Sequence, residues 1–160
     1  MQTCELFLLV QATGPDMGLS ISIDNQLIFK EILDQSITPI SYQFDDVDEQ
    51  DHELKIEMYG KLSEHTKVNS TGIIVEDRVI KILTASLNDI NLIPVDSDEK
   101  TLSAQDINYA QLFSKYAKYC HNFNGSGELT EQKFFGTLGC NGTVYFKFAS
   151  PVYLWLLENM

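Results

Sequence analysis

The chain has 160 residues, 44% of them hydrophobic, with 11 basic against 23 acidic side chains and a formal charge of -12. A chain of this length buries roughly two thirds of its unfolded surface, so a single domain spanning 1–160 is expected to fold without a disulfide or a metal. The charge repels a phosphate backbone and an anionic lipid surface, which sets aside nucleic-acid and membrane binding. The longest apolar runs, residues 6–10 and 152–157, fall far short of the roughly 20 needed to span a bilayer.

The opening residues, MQTCELFLLVQATG, put an acid and no base ahead of an apolar run, unlike a secretory signal. They predict a first strand over 4–12, closed by the turn cluster Thr13-Gly-Pro-Asp16. Cys4, Cys120 and Cys140 are odd in number and widely spaced, which argues against a disulfide framework and for a reducing compartment. Leu19, Ile21 and Ile23 alternate with serines, and after Asp24-Asn25 the chain resumes with Leu27 and Phe29, the pattern of a hairpin. Ile40, Tyr42 and Phe44 alternate in turn, with Pro39 at the strand start, where its missing N–H is tolerated.

An acidic loop then leads into the clearest strand of the chain, where Leu54, Ile56 and Met58 take one face and Glu53, Lys55 and Glu57 the other. A polar connection over 60–72 leads to the apolar runs 73–75 and 79–83, and Leu87, Ile90 and Leu92 complete the set. Short strands separated by turn residues predict a mainly β fold, an antiparallel sandwich or jelly roll.

From Ser103 the period changes. Ile107, Ala110, Phe113 or Ser114, Ala117 and Cys120 step by three and four, and Ser103 with Asp106 resembles a capping box, so a helix over about 104–119 is expected as an insertion spanning 103–123. The Gly-rich stretch HNFNGSGE follows. Phe134 and Phe135, then Val144, Phe146 and Phe148, joined through Asn141-Gly142, predict a late hairpin within 128–160. Ser150 as N-cap and Pro151 at the first helical position mark a short C-terminal helix, with a strand as the alternative.

Three groups of residues are candidates for function. Asp46, Asp48 and Asp51 in the acidic loop have the oxygen chemistry of a calcium site. Asp46, Asp48 and Glu57 even fall at positions one, three and twelve of an EF-hand loop, but position six is Asp51 where a Gly must turn, and a strand begins at once. Tyr109, Tyr116 and Tyr119 are rings able to stack on a sugar or a partner. Tyr153, Leu154, Trp155 and Leu157 put so much apolar surface into two terminal turns that docking on a protein partner is the corresponding expectation. His52, His65 and His121 lack metal-ligand spacing and read as turn or surface residues. No nucleophile elbow, P-loop, zinc-protease or dinucleotide pattern occurs, so no enzyme is expected.

The run HELKIEMYGK, a Thr-Lys-Val step, and GIIVEDRVIKILTASLNDINL resemble small β-sandwich proteins of tailed phages, T4-like phages of cyanobacteria above all. More loosely, residues 18–92 resemble the jelly-roll layout of carbohydrate-binding modules. The first resemblance implies a virion component, in a tail, fibre or capsid decoration, working by docking on copies of itself or on other virion proteins. The second implies a glycan-binding module, with calcium as the cofactor it would use.

Overall fold

A computed structural model describes residues 3–62, 66–93, 112–121, 130–134 and 136–159. The first strands in chain order are β1 (Thr3–Ala12), β2 (Met17–Ile23), β3 (Gln26–Leu33), β4 (Thr38–Asp45), β5 (Gln50–Tyr59), β6 (Lys67–Val68) and β7 (Ile74–Glu76). Then come β8 (Ile80–Leu87), β9 (Ile90–Asn91), helix α1 (Leu112–Tyr116), β10 (Lys118–His121), β11 (Thr130–Lys133), β12 (Thr137–Leu138), β13 (Gly142–Ser150) and helix α2 (Val152–Asn159). One sheet runs β12-β8-β1-β4, with β9 on β8; the other runs β11-β10-β13-β5-β2-β3, and β6 and β7 pair separately. Every pairing is antiparallel.

The alternation read from sequence in β2, β5 and β13 becomes one inner face, and the apolar runs of β1 and β8 supply the other. Leu6, Leu8 and Val10 of β1 and Ile80, Ile82 and Ala85 of β8 are buried opposite Leu19 and Ile21 of β2, Leu54, Ile56 and Met58 of β5, and Val144, Phe146 and Phe148 of β13, all in one apolar cluster. The partner residues Leu8↔Ala85 and Ile56↔Val144 fix the registers, because a one-residue slip would turn each buried set to solvent. The expected β2–β3 hairpin forms. Asp24 and Asn25, with φ of 51° and 66°, supply the two left-handed positions that a two-residue hairpin loop requires.

Three expectations are corrected. The helix over 104–119 survives in the described residues only as α1; the portion before 112 lies outside them, and 118–121 is the strand β10. Bonded on one side to β13 and on the other to β11, β10 satisfies its backbone through ladders, and that outweighs a helical period over a stretch too short to distinguish the two. Among the described residues the late hairpin does not form; Phe135 lies outside them. β12 joins β8 in one sheet while β13 joins β5 and β10 in the other. Instead of turning a hairpin, the side-chain amide of Asn141 accepts from the Lys61 N–H at 2.9 Å and donates to the Lys61 carbonyl at 2.8 Å, beyond the Gly142↔Met58 pair.

The C-terminal helix is present, but its cap differs. The Pro151 carbonyl accepts the Trp155 N–H at 3.0 Å, and the Val152 N–H is taken by the carboxylate of Asp46. The Ser150 hydroxyl, expected as cap, points instead to His52. No helix among the described residues is long and apolar enough to cross a membrane.

Candidate functional site

Because β5, β10 and β13 bury every second residue, their intervening residues stand on the outer face of the larger sheet: Glu53 and Lys55 from β5, Lys118 and Cys120 from β10, Tyr145 and Lys147 from β13. Register brings them together, with Tyr145 facing Lys55 on one side and Lys118 on the other. The result is a cleft of about 400 Å³ lined by Glu53, Tyr116, Lys118, Cys120, Glu131, Tyr145 and Lys147.

A second cleft, of about 650 Å³, lies where β5 begins and β13 ends. It is lined by Asp24, Asn25, Gln50, Asp51, Glu53, Lys147, Phe148 and Trp155 among others. The two share Glu53 and Lys147 and so adjoin as a groove, with Tyr116 and Tyr145 in the narrower part and Trp155 in the wider. All three rings are half-buried. Tyr116 and Trp155 are fixed from below: their centroids are 6.0 Å apart, the Tyr116 hydroxyl donates to Asn159 at 2.9 Å, and Trp155 packs edge-on against Phe146 and Phe148. Lys55 lies 5.8 Å above the Tyr145 ring and Lys115 5.3 Å above the Tyr116 ring.

At the wider cleft, with His52 and the exposed Asp24 in its lining, sits a polar relay. His52 Nδ1 is 2.6 Å from the Asp24 carboxylate and its Nε2 is 2.8 Å from the Ser150 hydroxyl. The other Asp24 oxygen accepts the Glu53 N–H at 2.8 Å, so the β2–β3 turn is pinned to β5. The order of groups is that of a nucleophile, a base and an orienting acid. The environment is different. Ser150 is 5% exposed and lines neither cleft, and the imidazole is held between Phe148 and Phe44 at centroid distances of 5.1 and 4.9 Å. The relay therefore acts as a clamp joining β2, β5 and β13.

The expected site residues divide. Tyr116 and Asp51 line the groove, and Trp155 does so while anchored to the core. Tyr119 is 2% exposed and presents no ring face to a ligand; its hydroxyl donates to the Cys140 carbonyl and accepts the Cys140 N–H. Burial is the main cause that raises its phenol above the ordinary value. Tyr109 lies outside the described residues. Tyr153, Leu154 and Leu157 stand exposed on α2.

The acids Asp46, Asp48 and Asp51 are not gathered. Asp46 caps α2, and among the described residues no group of three or more His, Cys, Asp or Glu is arranged to hold a metal ion. Sequence reading missed Asn25, Gln50, Lys118, Tyr145 and Lys147. Asn25 read only as a turn residue, and the others showed only their place at or on the polar side of strands, which does not tell a ligand face from a solvated one.

No family model matches the chain, and no curated protein does so with significance. Among solved structures, the chain is similar to the selenomethionine form of vCBM60, from work linking two families of calcium-dependent carbohydrate-binding modules by circular permutation. The TM-score is 0.51 at 8% identity, over 89% of each chain. The structure of vCBM60 in complex with galactobiose matches with a TM-score of 0.47 at 8% identity, over 89% of this chain and 96% of that one. What the first comparison shows is a shared fold, an antiparallel β-sandwich.

Proposed function

We propose that the chain binds carbohydrate, with an extended glycan lying along the groove from Cys120 to Asn25. The observation that carries this reading is the groove itself, in which three half-buried rings, Tyr145, Tyr116 and Trp155, alternate with amide, ammonium and carboxylate groups. Apolar ring faces meet the C–H faces of a sugar, and the polar groups between them meet its hydroxyls. The fold shared with a carbohydrate-binding module supports the same reading.

Calcium, on which modules of the neighbour's kind depend, finds no matching donor set in the described part of the groove. Both Asp24 oxygens are taken, by His52 and the Glu53 N–H, and Glu53 lies between Lys55 and Lys147 at 3.6 and 3.9 Å. Sugar contact is accordingly assigned to side chains directly. Retention on an immobilised glycan panel, run with calcium and with EDTA, tests both parts. Binding that is lost in Tyr145→Ala supports the groove; no retention on any glycan refutes the reading. Retention that EDTA abolishes would show that a cation is required after all.

A second reading, protein docking through α2, is favoured by one observation: Tyr153, Leu154 and Leu157 are 63%, 50% and 38% exposed. It is independent of the groove. A virion setting for it rests on the sequence resemblance alone.

A further inference from the structure

We infer that the groove does not end at Asn25 but continues into a third cleft, and that its ligand is a neutral oligosaccharide long enough to fill all three. This rests on the carbohydrate-binding reading above and narrows it to a longer, uncharged chain. The third cleft, of about 430 Å³, is built from the starts of β3 and β5, the end of β4 and the loop after it, with Gln26, Tyr42, Gln43, Phe44, Asp45 and Val47 in its lining. It shares Asp24, Gln50 and His52 with the wider cleft, so the two adjoin at the β2–β3 turn. The tract then passes from the outer face of the larger sheet, at Tyr145, round the end of the sandwich to β4, the edge strand of the smaller sheet.

The polar lining of the third cleft is of the kind that meets hydroxyl groups: the amides of Gln26, Gln43 and Gln50 and the phenol of Tyr42. Half-buried Phe44 and Val47, which is 44% exposed, supply apolar contact. The walls are tied in place. The Tyr42 hydroxyl donates to the Gln26 side-chain oxygen at 3.2 Å, joining β4 to β3 across the two sheets and leaving the Gln26 amide N–H groups as donors for a ligand. Asp24 is held by His52 at 2.6 Å and by the Glu53 N–H at 2.8 Å. A lining fixed before the ligand arrives loses less freedom on binding. Charge then selects the kind of chain. In the linings of the wider and third clefts, Asp24, Asp45, Asp51 and Glu53 stand against Lys147 as the one lysine or arginine. An acidic sugar is repelled there, whereas a neutral one offers hydroxyls that donate to the carboxylates.

The test is titration calorimetry of the full chain with neutral galacto-oligosaccharides and xylo-oligosaccharides of two, four and six units, and with the six-unit galactose chain after oxidation of its primary alcohols to carboxyls. Affinity should rise with length, roughly ten-fold from two to six units, about what one or two added hydrogen bonds bring, with one oligosaccharide bound per protein. The oxidised chain should bind more weakly than its neutral parent. Gln43→Ala, at an exposed position of β4, should weaken six-unit binding roughly two- to ten-fold and two-unit binding far less. Lys67→Gln, on β6 outside all three clefts, should change neither. Equal affinity at two and six units, or a Gln43→Ala variant that binds six units as wild type does, overturns the third cleft and leaves carbohydrate binding standing on a shorter chain. Two oligosaccharides bound per protein would overturn the continuous tract, and equal or tighter binding of the oxidised chain would overturn the choice of a neutral ligand. If neither series binds, the inference falls, and retention on the glycan panel decides whether the carbohydrate reading falls with it.

Discussion

The carboxylate of Asp46 accepts the backbone N–H of Val152 at 3.0 Å, across 106 residues of chain. An acid from the β4–β5 loop thus occupies the place a local Ser or Asp side chain normally takes at a helix start, and its charge faces the positive end of α2. Removing the oxygen in Asp46→Ala should cost about 0.5–2 kcal/mol of unfolding free energy, as loss of an N-cap does. Asp46→Asn, which keeps an acceptor, should lose less. Urea unfolding followed by the fluorescence of Trp155, the single tryptophan, which sits on α2, would read both. An unchanged midpoint for the alanine variant would refute the capping role.

The relay through His52 predicts stability effects without chemistry. Asp24→Ala leaves a buried imidazole nitrogen without its partner, a loss of about 1–3 kcal/mol, while the exposed Glu53 N–H turns to water. Ser150→Ala leaves the buried His52 Nε2 without its partner and should cost about 1–3 kcal/mol. Hydrolysis of p-nitrophenyl acetate should stay at the level of free imidazole in wild type and variants. Faster hydrolysis that Ser150→Ala abolishes would turn the clamp into an active site.

Lys61 and Asp77 predict a pH dependence. Lys61 Nζ, whose side chain is 9% exposed, lies 2.6 Å from Asp77 Oδ1 and 2.6 Å from the Gly139 carbonyl, and Thr66 donates to the same carboxylate oxygen at 2.6 Å. Burial alone would raise the Asp77 carboxyl, but the hydrogen bonds from Lys61 and Thr66, with the lysine's charge, hold it below the ordinary 3.8. A lowered carboxyl stabilises the fold above its unfolded value, and that stability is lost as pH falls through the folded value. Melting temperature should therefore drop below about pH 4. In Asp77→Asn that part of the acid dependence should vanish, and a variant whose acid profile matched wild type would contradict the assignment.

The thiols should react in a set order. Burial, reinforced by Asp46, pushes the Cys4 thiol up to about 12, and Cys4 is fully buried in β1, so it should resist iodoacetamide in the native state at pH 8. Cys120 lines the narrower cleft, and its thiol is raised by burial and by Glu131. It should label slowly, yet before Cys4, and the adduct should impair glycan retention. Labelling of Cys4 first would show that β1 opens more readily than its core position allows.

Docking through α2 is checked by association state. Trp155 is a poor probe, because it packs on Phe146, Phe148 and Tyr116 and its loss would disturb the core. The double change Tyr153→Ser and Leu154→Ser alters exposed side chains only. If α2 docks on copies of the chain, light scattering should show a smaller species for this variant than for wild type. A wild-type chain that is already monomeric, or a variant of unchanged size, would remove self-docking.

Sequence by itself determined the sandwich, since period-2 alternation in β2, β4, β5 and β13 names their buried faces without any knowledge of neighbours, and the apolar runs of β1 and β8 mark two more strands. It also determined the Asp24-Asn25 turn and left the element after Pro151 as a short helix or a strand, of which the structure has the helix. Tertiary structure alone decided which strands pair, because β12 and β13 are close in sequence yet lie in opposite sheets, and backbone ladders carry no residue code. The same holds for function. Asp46 is a cap because of Val152, Tyr119 is core because of Cys140, and Tyr145 lines a groove because Lys118 and Glu53 arrive from strands far off in the chain. Outward positions on a strand look alike in sequence; only the register that sets them side by side makes some of them a site.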